Sequence, residues 1–192
     1  RAPRPPAAAV LVGGGGGVAA PERLSHPPPR AWRPPRRGGG TAGAAAYVAG
    51  VYLLTIGGGV VFAADTTVNF EPEAAVLAEV TKHTAALARS FNIEPRAALL
   101  SYSNFGSVEN ARTAEIRAAV GRLHADDEVD FPVDGEMQAD TAVVEEILSG
   151  TYPFAQLQRP ANVLVFPSLE AGNIGYKLLQ RLGGAEAIGP ML

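Results

Sequence analysis

Residues 160–184 read PANVLVFPSLEAGNIGYKLLQRLGG, and the order of physical types in them decides the fold. Residues 162–166 are a short, β-branched, apolar run held between Pro160 and Pro167, the length of a buried strand. They feed a helix predicted over 171–182, which stops at Gly183-Gly184. A strand handing directly to a helix is half of a βαβ unit. Working outward toward the N-terminus, the alternation repeats: a helix over 139–149, a strand or extended approach over 129–133, a helix over 111–125 and a strand over 97–102. Before these, a helix begins at Pro72, whose missing donor is not needed in a first turn, and runs to about Ser90. Val76, Leu77, Val80, Thr84, Leu87 and Ala88 recur at helical spacing within it, and residues 91–95 form the turn out. Such alternation implies a mostly parallel sheet covered on both faces, the α/β class.

Further out lies an uncharged gap from Arg37 to Asp65. Its core, residues 44–64, is long enough to span a bilayer behind a basic flank. Gly57-Gly58-Gly59 splits it into two pieces rich in Val, Ile, Tyr and Phe, so the preferred reading is two buried strands joined by a tight turn. Residues 1–45 hold nine of the 16 prolines and nine of the 22 glycines, which leaves no apolar periodicity and predicts a disordered, unpacked arm. Gly13 to Gly17 imitate a phosphate-binding loop, but no Lys-Ser/Thr follows and Pro21 stands where the helix belongs.

Charge divides the chain in the same place. The arm carries a net +6 and the remainder −9, a balance that disfavours nucleic-acid binding by the folded part. The 192 residues include no cysteine, so disulfides, thiolate metal sites and a cysteine nucleophile are excluded. Length and 47% apolar content suit one soluble domain with a real core in a reducing, cytoplasmic setting.

In parallel sheets ligands collect beyond the carboxyl ends of the strands, which singles out four loops: 65–69, 101–107, 134–140 and 168–177. Loop 101–107, SYSNFGS, sets three serine hydroxyls, an amide and a glycine between a strand and a helix. Free amide hydrogens there match phosphate or carboxylate oxygens, while the same residues serve equally as helix caps. Loop 134–140, DGEMQAD, carries three carboxylates suited to acid/base work or a hard cation such as magnesium. Its alternative is a turn in which Asp140 caps the next helix. In GNIGYK, 172–177, glycines at a helix start leave donors open with Lys177 one turn inside, or simply permit close packing. His83 and His124 fall on helices and read as solvated or capping residues.

Taken together, DTTVN (65–69), SYSNFGS (101–107), DGEMQAD (134–140), ANVLVFP (161–167) and GNIGYKLLQRLGGAEAIGP (172–190) resemble the phosphate acetyl/butyryltransferases in order and spacing. The wording of SNFGS at 103–107, DGEMQAD and Tyr152-Pro153-Phe154 is most similar to the phosphotransacetylase-like C-terminal domain of bacterial NADP-dependent malic enzymes. The likeness covers residues 46–192, and residues 1–45 have no counterpart in it. It implies a three-layer α/β/α sandwich of the isocitrate/isopropylmalate-dehydrogenase-like type, here incomplete, with two subdomains, a cleft between them and usually a homo-oligomer. This chain then corresponds mainly to the second subdomain, with the C-terminal segment missing.

The resemblance also implies chemistry. Phosphotransacetylases move acetyl between coenzyme A and phosphate, which needs a base for the thiol and cations around the phosphate. In the first loop, Ser101, Ser103, Asn104, Gly106 and Ser107 are the expected ligand contacts for acyl-CoA, acetyl phosphate or phosphate. Asp134 and Gln138 come from the second, and Asn173, Tyr176, Lys177 and Arg181 from the last. The family's catalytic Ser-Arg pair and a nearby Asp follow the stretch matching residues 185–190, and further phosphate-binding arginines precede the match, so no catalytic residue is assigned. No metal or cofactor is expected in this segment; NADP and a divalent metal belong to the malic enzyme parent, which oxidatively decarboxylates malate to pyruvate. The leading expectation is an acyl-CoA-sensing and assembly module of such a parent. The alternatives are a phosphate acetyltransferase proper and a non-catalytic interaction module, and no nucleic-acid or membrane partner is expected.

Overall fold

The computed structural model describes residues 47–192, so the arm expected over 1–45 lies outside them. Chain order begins with the hairpin: β1 (Val51–Ile56) and β2 (Gly59–Ala64) pair antiparallel with Ile56 opposite Gly59. The two residues between them, Gly57 and Gly58, have φ of +58° and +79°, the left-handed pair that a two-residue hairpin turn requires. The stretch weighed as a membrane anchor is therefore a pair of strands. No helix among the described residues is long and apolar enough to cross a membrane.

After the hairpin come α1 (Ala74–Ser90), β3 (Ala97–Leu100), α2 (Ala111–His124) and β4 (Val133–Met137). The first helix buries Leu77, Ala78, Val80, Thr81, Thr84, Ala85 and Ala88, one face at helical spacing. Thr81 and Thr84 satisfy their hydroxyls by donating to the carbonyls of Leu77 and Val80. The second helix starts in a capping box, Asn110 accepting from the Thr113 amide while Thr113 accepts from the Asn110 amide. Then follow α3 (Ala139–Val143), α4 (Glu145–Thr151), β5 (Val163–Val165), α5 (Leu169–Arg181) and β6 (Glu186–Met191).

The six strands form one sheet in the order β4-β3-β5-β2-β1-β6. Its first four strands are mutually parallel, and the last two joins, β2 to β1 and β1 to β6, are antiparallel. Successive residues of the central strands serve opposite faces. Leu99, Val163, Val165 and Phe62 pack toward α1 and α2, while Ala98, Leu100 and Leu164 pack toward α3 and α4. On that second face, Leu54 and Ala63 meet Tyr176 of α5. Two buried faces explain why these strands read as continuous apolar runs, and the result is a three-layer α/β/α sandwich with a mostly parallel sheet. Each fully buried Phe62, Leu54, Leu77 or Ile116 contributes about 1.5–3 kcal/mol of transfer free energy.

Six features differ from the sequence reading. Helix α1 begins at Ala74 behind Glu73 at its cap position, so Pro72 precedes the helix instead of sitting in its first turn. Strand β3 ends at Leu100, short of the expected 102. Strand β4 lies over Val133–Met137 instead of 129–133, so the acidic loop begins later than expected. The helix expected over 139–149 is two helices, broken where Val144 takes an extended conformation. Helix α5 begins at Leu169 because Ser168 is its cap, accepting from the Ala171 amide. Strand β6 was not expected; it pairs only with β1, at the sheet edge, where Pro190 costs no interior ladder bond.

Candidate functional site

Because β4, β3, β5 and β2 run in one direction, their carboxyl ends open on one rim, and the loops expected to meet do so there. The 65–69 loop meets the start of α5: Phe166 N donates to Ala64 O, Leu169 N to Phe70 O, and Asn173 Nδ2 to Thr66 O at 3.3 Å. The 101–107 loop meets the end of β4: Ser101 N donates to Met137 O, Gln138 N to Asn104 Oδ1 and Gln138 Nε2 to Tyr102 O.

Two carboxylates organise these pairs. Asp65, 3% exposed, accepts from the amides of Gly50, Thr67, Val68 and Asn69 and from Asn69 Nδ2. It ties the loop after β2 to the strand entry before β1. Glu136, fully buried, places Oε1 within 2.8 Å of Ser103 Oγ, 2.9 Å of Gly106 N and 3.1 Å of Arg117 Nη1. Its carbonyl oxygen accepts from Phe105 N, which sits at a φ of +47°. A local irregularity puts Glu136 there. Leu99 pairs with Gly135 and Leu100 with Met137, so Glu136 is the extra residue of a bulge and leaves the strand's alternation.

This geometry changes the expected anion site. Within the 101–107 loop, Ser103 N donates to Ser101 Oγ, Asn104 N to Ser107 Oγ, Ser107 N to Asn104 O, and the amides of Phe105 and Gly106 go to Glu136. From Ser103 to Ser107 no amide is left for a ligand, and a carboxylate occupies the centre. Ser103 is buried beneath the loop, whereas Ser101 and Asn104 are half-buried and Gly106 and Ser107 exposed.

The other expected contacts separate. Asp134 belongs to β4 instead of a loop; it is buried, and its carboxylate accepts from Gly135 N and Gln156 N. Asp134, Glu136 and Asp140 therefore have different partners, and no cluster of three potential metal ligands occurs among the described residues. Asp140 lies in the first turn of α3, whose cap position is Gln138. Gly172 and Gly175 are inside α5, close against the Asp65–Thr66 backbone and the Phe166 ring, so close packing is their role. Gly172 N is already given to Ser168 O. Tyr176 is a core residue stacked on Tyr52 at 4.1 Å. Hydrogen bonding with Tyr176, then burial, pushes the Tyr52 phenol above its ordinary value.

Lys177 is exposed near the Tyr176 ring, and Arg181 is exposed at the far end of α5, about 18 Å along the axis from Leu169 at 1.5 Å per residue. The rim thus gathers Ser101, Asn104, Gln138 and Asn173, while Asp134, Tyr176 and Arg181 lie elsewhere. Sequence reasoning placed Asp65 and Glu136 in candidate loops without seeing their role as internal acceptors, and passed over Arg117. An isolated glycine in a strand, Gly135, was the available sign of the bulge. His124 Nε2 lies 2.9 Å from Val133 O, the structural role expected of it. A groove of about 510 Å³ beside α1 includes Lys82 and Arg89, but both cations are paired with carboxylates and it lies away from the rim.

Comparison with known proteins bears on this rim. The family described as phosphate acetyl/butaryl transferase matches residues 29–192, a span that takes in part of the stretch assigned to the arm. Phosphate acetyltransferase of Bacillus subtilis (strain 168) is 41% identical over 144 residues, 75% of this chain and 44% of its own length. Among solved structures, the EutD phosphotransacetylase from Staphylococcus aureus superposes with a TM-score of 0.70 at 39% identity, over 74% of this chain and 44% of that one. A phosphotransacetylase from Streptococcus pyogenes gives 0.67 at 38% identity, over 74% and 44%. The chain spans less than half the length of these relatives.

Proposed function

The chain belongs to the phosphate acetyl/butaryl transferase family, and from that premise we propose that residues 46–192 are one lobe of a phosphate acetyltransferase. In the whole protein this lobe presents the 65–69, 101–107, 138 and 168–173 rim to coenzyme A and acetyl phosphate. The reaction moves acetyl between them: the thiolate sulfur attacks the acetyl carbonyl, the carbonyl–oxygen bond to phosphate breaks, and inorganic phosphate leaves. The observation that carries the reading is the convergence of four loops at the carboxyl ends of four parallel strands, in a chain about 40% identical to proteins named for this activity.

What this lobe supplies is positioning. Asn104, Gln138, Ser101 and Asn173 offer neutral polar groups along the rim, and the packed α5 holds the floor. None of the described rim residues is Lys or Arg, whereas charge on transferring phosphate oxygens calls for cations. The lobe therefore binds without turning over, and cations come from a complementary lobe. The malic-enzyme module suggested by motif wording gains no support from these relatives, which favour the acyltransferase alternative. Assembly into homo-oligomers in a cytoplasmic setting belongs to the same proposal. The exposed stripe of Ile174, Leu178 and Leu182 on α5 offers apolar surface for such assembly.

Calorimetric titration of the 192-residue chain with coenzyme A, beside an assay for acetyl phosphate made from acetyl-CoA and phosphate, tests this. Binding without product is the expected result. No heat at any concentration would sink the lobe assignment, and product formation by the chain alone would overturn the argument from missing cations.

A further inference from the structure

A buried carboxylate that no reaction step uses stands under the 101–107 loop, at the β4 end of the rim. Glu136 Oε1 is met by one hydroxyl, one amide and one guanidinium, a donor set fit for any small carboxylate or phosphate oxygen. The donors come from two elements: Ser103 and Gly106 from the β3–α2 loop, and Arg117 from α2. Arg117 is one-third exposed, so the cup lies near solvent, although Glu136 itself is sealed. Among the described residues Glu136 Oε2 has no hydrogen-bond partner; the carboxylate's bonding there is spent on the loop and on Arg117.

We propose that Glu136 is the positioning residue of this rim, an internal anion that fills the cup formed by Ser103, Gly106 and Arg117 and thereby fixes the shape of residues 102–107. The clasp sets two things. It seats Asn104 against Gln138 N, on the rim. It also holds Phe105 at its positive φ with its ring 5.1 Å from those of Tyr152 and Phe154. A bulky residue in that conformation persists only where its surroundings over-determine it, and here the Phe105 amide donates to the Glu136 main-chain carbonyl while the Gly106 amide donates to its carboxylate. External ligands accordingly meet the outer polar groups, and the loop amides stay with Glu136. The effect on ligand binding rests on the acyl-CoA reading above; the clasp itself does not.

Three variants of the full chain test it. Glu136→Ala empties the cup. Amide exchange at Gly106, whose acceptor is the Glu136 carboxylate, is expected to rise at least about tenfold, with coenzyme A affinity falling by about the same factor, and acetate is expected to reverse both in a concentration-dependent way. Glu136→Gln is close to isosteric and keeps an acceptor at Oε1, at the cost of an unpaired amide NH2 at the Oε2 position, and its exchange rises by a smaller factor because only the charge is lost. Glu136→Asp withdraws the carboxylate by one methylene and is expected to fall between. If Glu136→Ala does not fold, the Gln variant decides. Unchanged exchange at Gly106 in the folded variants overturns the proposal, as does acetate that fails to restore the Ala variant. If the unaltered chain ignores coenzyme A while acetate rescue is seen, the acetyltransferase reading fails and the clasp stands.

Discussion

Replacing Gly172 by alanine separates the packing role of α5 from the open-donor role that its glycines suggest. In the interior of a helix the change ordinarily gains about 1 kcal/mol, because alanine loses less backbone entropy. At Gly172 the new Cβ would lie inside the contact shell of the Asp65 carbonyl oxygen, 3.2 Å from Asp65 C and 3.3 Å from Thr66 Cα. That obstacle is backbone, and the residue bearing it is held by five hydrogen bonds, so it cannot turn aside as a side chain would. Overpacking of this kind costs roughly 1–3 kcal/mol, occasionally more. Set against that gain, the expected net loss is up to about 2 kcal/mol, or up to roughly 8 °C in melting temperature for a domain of this size. Gly121 of α2, with no heavy atom within 4 Å of its Cβ position, is the control. Gly121→Ala is expected to raise stability by up to about 1 kcal/mol. Urea unfolding followed by circular dichroism reads both. A Gly172→Ala protein stabilised as much as the Gly121→Ala control would refute the close-approach argument, since the donor on Gly172 is retained either way.

Removing the Asp65 side chain tests the other hub. Asp65→Ala is expected to cost about 3 kcal/mol, the order set by leaving several partly buried amides without acceptors. Faster hydrogen exchange at Gly50, Thr67 and Asn69 should accompany it; a loss below about 1 kcal/mol counts against the hub. A surface pair sets a pH limit. Asp126 is held below its ordinary value, by the Glu128 amide first and then Lys82; Lys82 is raised by Glu79 first and then Asp126. The Asp126 contribution is present above its unfolded value, near pH 4, and is lost as pH falls through its depressed folded value. The Lys82 contribution is complete below its unfolded value, near pH 10.4, and is lost as pH rises through the raised one. Asp126→Asn should therefore lower stability at pH 7 and converge with the parent toward pH 2. Parallel curves across that range would contradict this.

The fold was legible where single residues carry a physical instruction. Gly57-Gly58-Gly59 announced the hairpin, Pro160 and Pro167 bracketed β5, and the periodic Leu77, Val80 and Thr84 marked the buried face of α1. The α3–α4 break was not legible, because Val144 is neither glycine nor proline and only its contacts make it extended. The start of α5 was misplaced by giving the glycines more weight than the Ser168 cap. At the rim, hydroxyls and amides in 101–107 rightly marked a loop at a strand end. Their partner is internal, and nothing in spacing discloses that Glu136, displaced by a bulge, consumes the donors. Likewise Asp134 and Glu136, two apart in sequence, look like one carboxylate pair until the register slip assigns them different partners.

Strand β1 lies between β2, its immediate successor, and β6, the last element of the described region. During synthesis the hairpin emerges early and acquires its β5 neighbour much later, and β1 keeps an open backbone edge until Glu186–Met191 has left the ribosome. Pairings this distant in sequence make folding slow and expose unfinished edges to other nascent chains. Interrupted translation before β6 would leave Leu53 and Leu54 on an edge strand, so the closing strand acts as a late quality gate on the sheet.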